Sequence, residues 1–225
     1  NASDRFGTVD PGGLAQVRAL AGAMIHQSDN TATEVLLDLV GREAVEQVQA
    51  RMGMVRPEQN IPFLSLAEWA RLKFGRPPSA DEYAALPDVA ARRRFIDERV
   101  ANRSAGPRET TTPARPIHID TVEWFASPED ICRAHVALQE MARRPGLEPL
   151  RSILRTTFTW LKPTADYIGF KGGSEPGVYD LTFYIERGGK RYAVVMLLSN
   201  PERHFRASPA IVRDAYRLLT ASKAR

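Results

Sequence analysis

The sequence contains a single cysteine, Cys132, among its 225 residues. One thiol excludes an internal disulfide and any zinc site built from several thiolates. The spacing of the four histidines fits no metal-ligand pattern, and the H-E-x-x-H signature of zinc peptidases is missing. We therefore expect no bound metal and no cofactor.

Long apolar runs and basic patches are also missing. No stretch reaches the ~18 to 20 apolar residues that a membrane-spanning helix needs, so no membrane span is expected. Lysine and arginine exceed aspartate and glutamate by 31 to 27, a formal charge of +4, but only residues 91–95 (ARRRF) form a tight basic cluster. Because no basic patch with interleaved aromatic residues is present, nucleic acid is not an expected partner.

The first two thirds of the chain carry the 3.6-residue apolar period of amphipathic helices. This period predicts helices over residues 14–26, 31–40, 42–53, 64–75, 79–86, 88–102 and 147–154. Another helix is predicted from Ser127 to about Arg143, because an N-cap serine is followed by proline and by acids in the first turn. Glycine, proline and threonine over 103–116 predict a long surface loop.

Strand patterns replace the helical period from Tyr167 onwards, in the segments YIGFKGG and VYDLTFYIERGGKRYAVVMLLS. The Gly188-Gly189 dipeptide predicts a two-residue hairpin turn between the last two strands. A closing amphipathic helix is predicted over 209–221. Helices followed by antiparallel strands and one helix favour an α+β fold, with an α-helical lobe packed on an antiparallel sheet and a C-terminal helix lying on that sheet.

Three small polar residues, Ser28, Asp29 and Asn30, interrupt the apolar helical run AGAMIHQSDNTATEVLLDLVG at 21–41. Such side chains compete for backbone hydrogen bonds and favour caps and turns. The interruption predicts a helix that ends near His26, a tight polar corner and a new helix. By itself the triplet is a weak functional signal, because helix capping explains it equally well.

A second polar feature lies in YIGFKGGSEPG, where a predicted strand places Lys171 at its end, before Gly172, Gly173, Ser174 and a Pro-Gly turn. The glycines allow another backbone or a ligand to approach closely. A lysine there can pair with a carboxylate or tune a neighbouring hydroxyl. The alternative is an edge-strand lysine that reaches solvent beside a loose turn.

Together the two segments resemble the S-D-N and K-T-G motifs of class A β-lactamases and penicillin-binding proteins, in the same order and the same helix-corner and strand contexts. The resemblance extends to MIHQSDNTATEVLLDLVGREAV, SPEDICRAHVALQEM and KGGSEPGVYDLTFYI. It implies one β-lactamase/transpeptidase-like domain over 1–225, with a mainly helical lobe over 1–155 and the strands and closing helix over 156–225. It also implies a bacterial protein with a small-molecule substrate and a periplasmic or secreted location, although no signal peptide is visible.

The resemblance implies specific roles at the site. Ser28 would share a proton with the nucleophile or the leaving nitrogen, and Lys171 would place positive charge against Ser28 and a substrate carboxylate. The backbone N–H of Ser174 would form half of an oxyanion hole. The expected catalytic residues are thus Ser28, Lys171 and Ser174, and the expected substrate-binding residues are Asn30, Gly172 and Gly173, with no metal ligands.

Three features depart from the family pattern. The third motif is K-G-G, so Gly172 lacks the hydroxyl that commonly binds a substrate carboxylate. The Glu-x-x-Leu-Asn loop of class A enzymes is missing, and Glu58 is the nearest carboxylate at the wrong spacing. No serine stands three positions before any lysine, so the S-x-x-K motif with its nucleophile is absent from these residues. Since the chain opens on Asn1, we expect the nucleophile upstream of Asn1.

These features favour a β-lactamase-like serine hydrolase that forms an acyl-enzyme with a β-lactam or a related cyclic amide or ester. One alternative is an esterase or D-alanyl-D-alanine peptidase-type acyltransferase, because the deacylation motif is missing. Another is a non-catalytic relative that binds such ligands, because the nucleophile is missing. The stretch between the motifs is longer than in the family, which predicts a helical insertion near 74–120 that either covers the site as a lid or is a solvated excursion.

Overall fold

The computed structural model describes residues 16–75, 80–100, 115–156 and 165–204. In these ranges the helices come first and the strands last, so the predicted α+β class is confirmed. The predicted closing helix at 209–221 lies outside the described residues, as does most of the predicted loop at 103–116. The helices are α1 (Val17–His26), α2 (Asn30–Val40), α3 (Arg42–Arg51), α4 (Leu66–Phe74), α5 (Ala80–Ala84), α6 (Val89–Phe95), α7 (Pro128–Met141) and α8 (Glu148–Leu154), with a 3₁₀ turn at Pro57–Asn60 and a π turn at Ile96–Val100.

The sheet is an antiparallel meander of three strands, β1 (Tyr167–Glu175), β2 (Val178–Arg187) and β3 (Lys190–Ser199). The predicted hairpin turn is confirmed: Gly188 and Gly189 have φ values of +53° and +74°, the left-handed backbone that a type I′ turn requires at both positions. The prediction that β1 ends at Lys171 was wrong. The strand continues to Glu175, because a two-residue turn at Pro176-Gly177 keeps both glycines after Lys171 paired with β2.

The two faces of the sheet differ in chemistry. One face is apolar and clusters Leu181, Phe183 and Ile185 with their strand neighbours. The register pairs Lys171 with Thr182, and strand alternation therefore puts both on the opposite face, together with the pairs at Gly173 and Glu175. Helix α7 packs against β2 and β3. We call the face that carries Lys171 the polar face.

Helix α7 begins where the sequence predicts. Ser127 Oγ accepts a hydrogen bond from Asp130 N at 3.1 Å, and Asp130 Oδ2 accepts one from Ser127 N at 2.9 Å, which completes a capping box. Asp130 Oδ1 also accepts from Val55 N at 2.8 Å. The cap therefore fixes both the start of α7 and its position against the loop after α3.

The predicted insertion at 74–120 shares a hydrophobic core with residues on either side of it. Leu72 of α4 packs in it with Tyr83 of α5 and with Phe95, Ile96 and Val100 of α6 and the π turn, all of them buried. The predicted helix at 88–102 is thus split in two, and its large apolar residues from Phe95 onwards face inward, whereas Val89 at its start is exposed.

The insertion also carries charged residues, and one of them pairs with the helical lobe. Arg93 forms an ion pair with Glu46 of α3, whose side chain is only 7% exposed. The described part of the insertion is therefore packed against the helical lobe rather than extended into solvent.

Candidate active site

Ser28 lies at the corner between α1 and α2, and its φ is +51°. Non-glycine residues rarely adopt this backbone, which costs about 1–3 kcal/mol and is common at functional sites. Asp29 holds the corner: it is fully buried, accepts from Ala32 N at 2.8 Å as the N-cap of α2, and donates its own N–H to Ala23 O at 3.2 Å. The predicted corner is confirmed, and it leaves the Ser28 side chain exposed.

Lys171 brings its ammonium group to Ser28 from the middle of β1. Lys171 Nζ donates to Ser28 Oγ at 2.7 Å and to Gly172 O at 2.5 Å, so groups 143 positions apart in the chain meet directly. Burial lowers the pKa of Lys171 below its usual value, because it disfavours the charged form. The pair can therefore move a proton through Ser28 Oγ or stabilise negative charge that develops on it.

Two side chains fix the backbone at Lys171. Thr182 Oγ1 donates to Lys171 O at 2.7 Å, and His135 Nε2 lies 3.1 Å from the same hydroxyl oxygen. Because the threonine hydroxyl has a single proton, which it gives to Lys171, the imidazole must donate from Nε2. Burial lowers the pKa of His135, which favours the neutral imidazole that carries its proton on Nε2. Helix α7 thus supports the strand position from which the lysine extends.

The other predicted site residues flank this pair. Asn30 is half-buried at the first position of α2, and Gly173 and Ser174 are exposed near the end of β1. The oxyanion-hole role of the Ser174 N–H and the substrate contacts of Asn30 and Gly173 stay predictions.

Gly172 occupies a crowded position in β1. A Cβ there would lie 3.0 Å from Phe170 Cζ and 3.1 Å from Asp180 O. A larger residue would therefore require its neighbours to shift, which explains why glycine fits where the family motif has threonine. Without a hydroxyl, this position offers no side-chain donor to a substrate carboxylate.

An ionic cluster around a buried lysine lies at the end of β1, next to Ser174. Lys73 of α4, with a side chain 1% exposed, pairs with Glu123 and with both carboxylate oxygens of Glu175, each at 2.9 Å. Its ammonium group also lies 5.0 Å from the centre of the Trp69 ring. Burial and a hydrogen bond with Glu123 raise the pKa of Glu175 to about 8. We call Lys73, Glu123 and Glu175 the lysine–carboxylate cluster; it connects the helical lobe to the strand that carries the site.

Sequence reasoning missed Thr182, His135 and this cluster. A signal for Thr182 was present: a two-residue turn at Pro176-Gly177 sets the register that places Thr182 opposite Lys171. The partners of Lys73 could not be found in this way, because they depend on how α4 packs against the strand. Glu58, the carboxylate nearest to the missing loop motif, is 62% exposed and pairs with Arg56, so no deacylating base is assigned.

The described ranges contain no group of three or more His, Cys, Asp or Glu residues arranged to hold a metal ion. In the same ranges no helix is both long and apolar enough to cross a membrane.

Solved structures of two β-lactamases resemble the fold. The β-lactamase from Sphaerobacter thermophilus is 22% identical with a TM-score of 0.55, over 97% of this chain and 67% of that one. The β-lactamase from Burkholderia vietnamiensis is 13% identical with a TM-score of 0.51, over 92% of this chain and 64% of that one. The chain thus spans about two thirds of the length of these structures. Among curated proteins, none matches the sequence.

Residues 3–119, more than half of the chain, match the family model Beta-lactamase2, described as a beta-lactamase enzyme family. The matched region includes the Ser28 corner, whereas Lys171 lies outside it. The family match, the α+β fold of the two β-lactamase structures and the meeting of Ser28 with Lys171 agree with one another. The chain belongs to the beta-lactamase enzyme family.

Proposed function

We propose that the site formed by Ser28 and Lys171 performs serine acyl transfer on a β-lactam or a related cyclic amide or ester. The observation that carries this proposal is the 2.7 Å hydrogen bond between Ser28 Oγ and Lys171 Nζ. A hydroxyl at a strained corner and an ammonium group on a strand have no structural need to meet. Their contact places a proton carrier beside a positive charge, as the cleavage of an acyl bond requires.

In this mechanism a serine hydroxyl attacks the substrate carbonyl carbon, and a negative charge develops on the carbonyl oxygen. The Ser174 N–H donates a hydrogen bond to that oxygen. The proton that the attacking hydroxyl loses passes to Ser28 Oγ, and Ser28 Oγ gives its own proton to the leaving nitrogen or oxygen as the acyl bond breaks, so Ser28 ends the step protonated. Lys171 stabilises the negative charge on Ser28 Oγ between the two transfers. Water then attacks the acyl-enzyme and releases the acid. The sequence holds no S-x-x-K motif, so the proposal assigns proton transfer and positioning, not nucleophilic attack, to these residues.

An esterase or acyltransferase is the second candidate, and Gly172 favours it. Gly172 has no hydroxyl that could bind the carboxylate of a β-lactam, and a side chain at this position would require Phe170 and the Asp180 backbone to shift. The exposed Glu58 likewise supplies no base for rapid deacylation. An enzyme of this kind would turn over esters but release a β-lactam acyl group slowly.

The experiment offers a chromogenic cephalosporin and short p-nitrophenyl esters to the full-length gene product, with Lys171→Met as the variant and Lys190→Met, at the exposed start of β3, as the matched control. We expect turnover that Lys171→Met lowers by about 10²-fold or more and that Lys190→Met leaves unchanged. Ester turnover alone, with a stable mass increase after penicillin, would select the esterase candidate. Absence of both turnover and mass increase would contradict acyl transfer and support a binding protein.

A further inference from the structure

A second charged group, Asp180, shares the polar face with Lys171. It lies on β2 directly across from Gly173. A Cβ built on Gly173 would lie 4.0 Å from Asp180 Oδ2, so the carboxylate extends toward the space that a side chain at Gly173 would fill. Gly173 itself is exposed and Asp180 is half-buried. A ligand that lies along β1 at Ser28 would therefore pass beside this carboxylate.

The charge of Asp180 has no counterion in the described part of the chain. There, no hydrogen bond or ion pair engages its side chain. The nearby Lys73 is already paired with Glu123 and Glu175, and the Lys171 ammonium is engaged by Ser28 and the Gly172 carbonyl. A carboxylate removed from water without a cation is costly, and a cation that arrives with a ligand would offset that cost.

We propose that Asp180 is a specificity-determining residue that selects acyl donors with a positive charge on the acyl side. The inference rests on the proposed acyl transfer and names its substrate class. Lys171 and Asp180 are diagonal neighbours across β1 and β2, whose side chains begin about 7–8 Å apart. A matching substrate places its reacting carbonyl at Ser28 and Lys171 and a quaternary or primary ammonium group near Gly173. A carboxylate at the same place would be repelled.

The charged state of Asp180 depends on pH. Burial and the negative charge of Glu123 raise its pKa to about 6, so the carboxylate is largely ionised at pH 8 and largely neutral at pH 5. Other titratable groups on the polar face of β1 and β2 include Lys171, Glu175, Tyr184 and Glu186, and His135 of α7 lies against this face. A group that takes part in the chemistry changes kcat/KM of both substrates equally. The ratio of kcat/KM for two substrates that differ only in one charge therefore reports on Asp180.

The test uses the full-length gene product and compares two p-nitrophenyl esters of the same shape. One is the γ-trimethylammoniobutyrate ester, and the other is its carbon isostere, in which a tert-butyl group replaces the trimethylammonium group. At pH 8 and low salt we expect kcat/KM to favour the cationic ester about tenfold. Asp180→Asn should reduce this ratio to about one. Glu98→Gln removes the same charge from an exposed residue of the π turn and should leave the ratio unchanged.

The unaltered protein gives a second readout that needs no variant. Its preference for the cationic ester should increase between pH 5 and pH 8 as Asp180 ionises. Equal turnover of both esters, or a ratio that Asp180→Asn leaves intact, would overturn the role of Asp180 and leave acyl transfer standing. No turnover of either ester would contradict the proposed function, and the inference would fail with it.

Discussion

Replacement of Lys73 by methionine tests the lysine–carboxylate cluster. The Lys73 side chain is 1% exposed and its ammonium group pairs with Glu123 and Glu175. Methionine fills the volume of the lysine stem, so the change removes the charge and leaves little cavity. Two partly buried carboxyl groups, with side chains 14% and 12% exposed, then lose their cation, which costs about 3 kcal/mol of unfolding free energy.

The assay is urea unfolding at pH 7, followed by tryptophan fluorescence, since Trp69 Nε1 donates to Glu123 Oε1 at 2.9 Å and reports on the cluster directly. Lys190→Met, at an exposed position, should change the unfolding free energy by less than about 0.5 kcal/mol. Adding Glu123→Gln to Lys73→Met should recover about 1–3 kcal/mol, because it removes one unpaired charge. A loss below 1 kcal/mol for Lys73→Met, or no recovery in the double variant, would refute the cluster as a buried ionic unit.

Three further predictions concern the fold around the site. Gly177→Ala should destabilise the protein by about 2 kcal/mol or more in urea unfolding, because φ is +85° and a Cβ would lie 2.6 Å from a Pro116 carbon. Gly41→Ala is the control for the backbone angle alone: φ is +81° but the surrounding space is open, so the substitution should cost about 1 kcal/mol. Asp29→Ala should lower the unfolding free energy by about 1–2 kcal/mol, through loss of the cap of α2. Because the folded pKa of Glu175 is raised to about 8 from 4.5, its contribution to stability is full below pH 4.5 and is lost as the pH rises toward 8. Melting temperatures at pH 5.5 and pH 8 should therefore differ less in Glu175→Gln than in the unaltered protein.

Local signals in the sequence were sufficient for the corner and the hairpin. Ser28, Asp29 and Asn30 break one helix and cap the next because their side chains compete for the backbone, and this depends on nearby residues alone. The Gly188-Gly189 turn likewise follows from the positive φ values that its geometry requires. Resemblance to a family then linked the corner to a strand 143 positions later, a contact that the structure shows.

Long-range packing was beyond the reach of the sequence. The end of β1 was misplaced because glycines weaken a strand pattern, although the two-residue turn pairs them with β2. The sequence left open whether the insertion covers the site or is a solvated excursion, because the partner of Arg93 is Glu46, which lies 47 residues away on α3. The lysine–carboxylate cluster joins three segments that have no sequence signal in common, so its burial appears only once α4 and β1 are placed side by side.

The most direct test of the central claim is a double-mutant cycle on Ser28 and Lys171 in the full-length gene product, with kcat/KM for a p-nitrophenyl ester as the readout. If both side chains act on one proton, Ser28→Ala and Lys171→Met should each lower kcat/KM by about 10²-fold or more. The double variant should then be no more than about threefold worse than the poorer single variant. Losses that multiply in the double variant, or a Ser28→Ala protein with full turnover, would contradict a shared catalytic role.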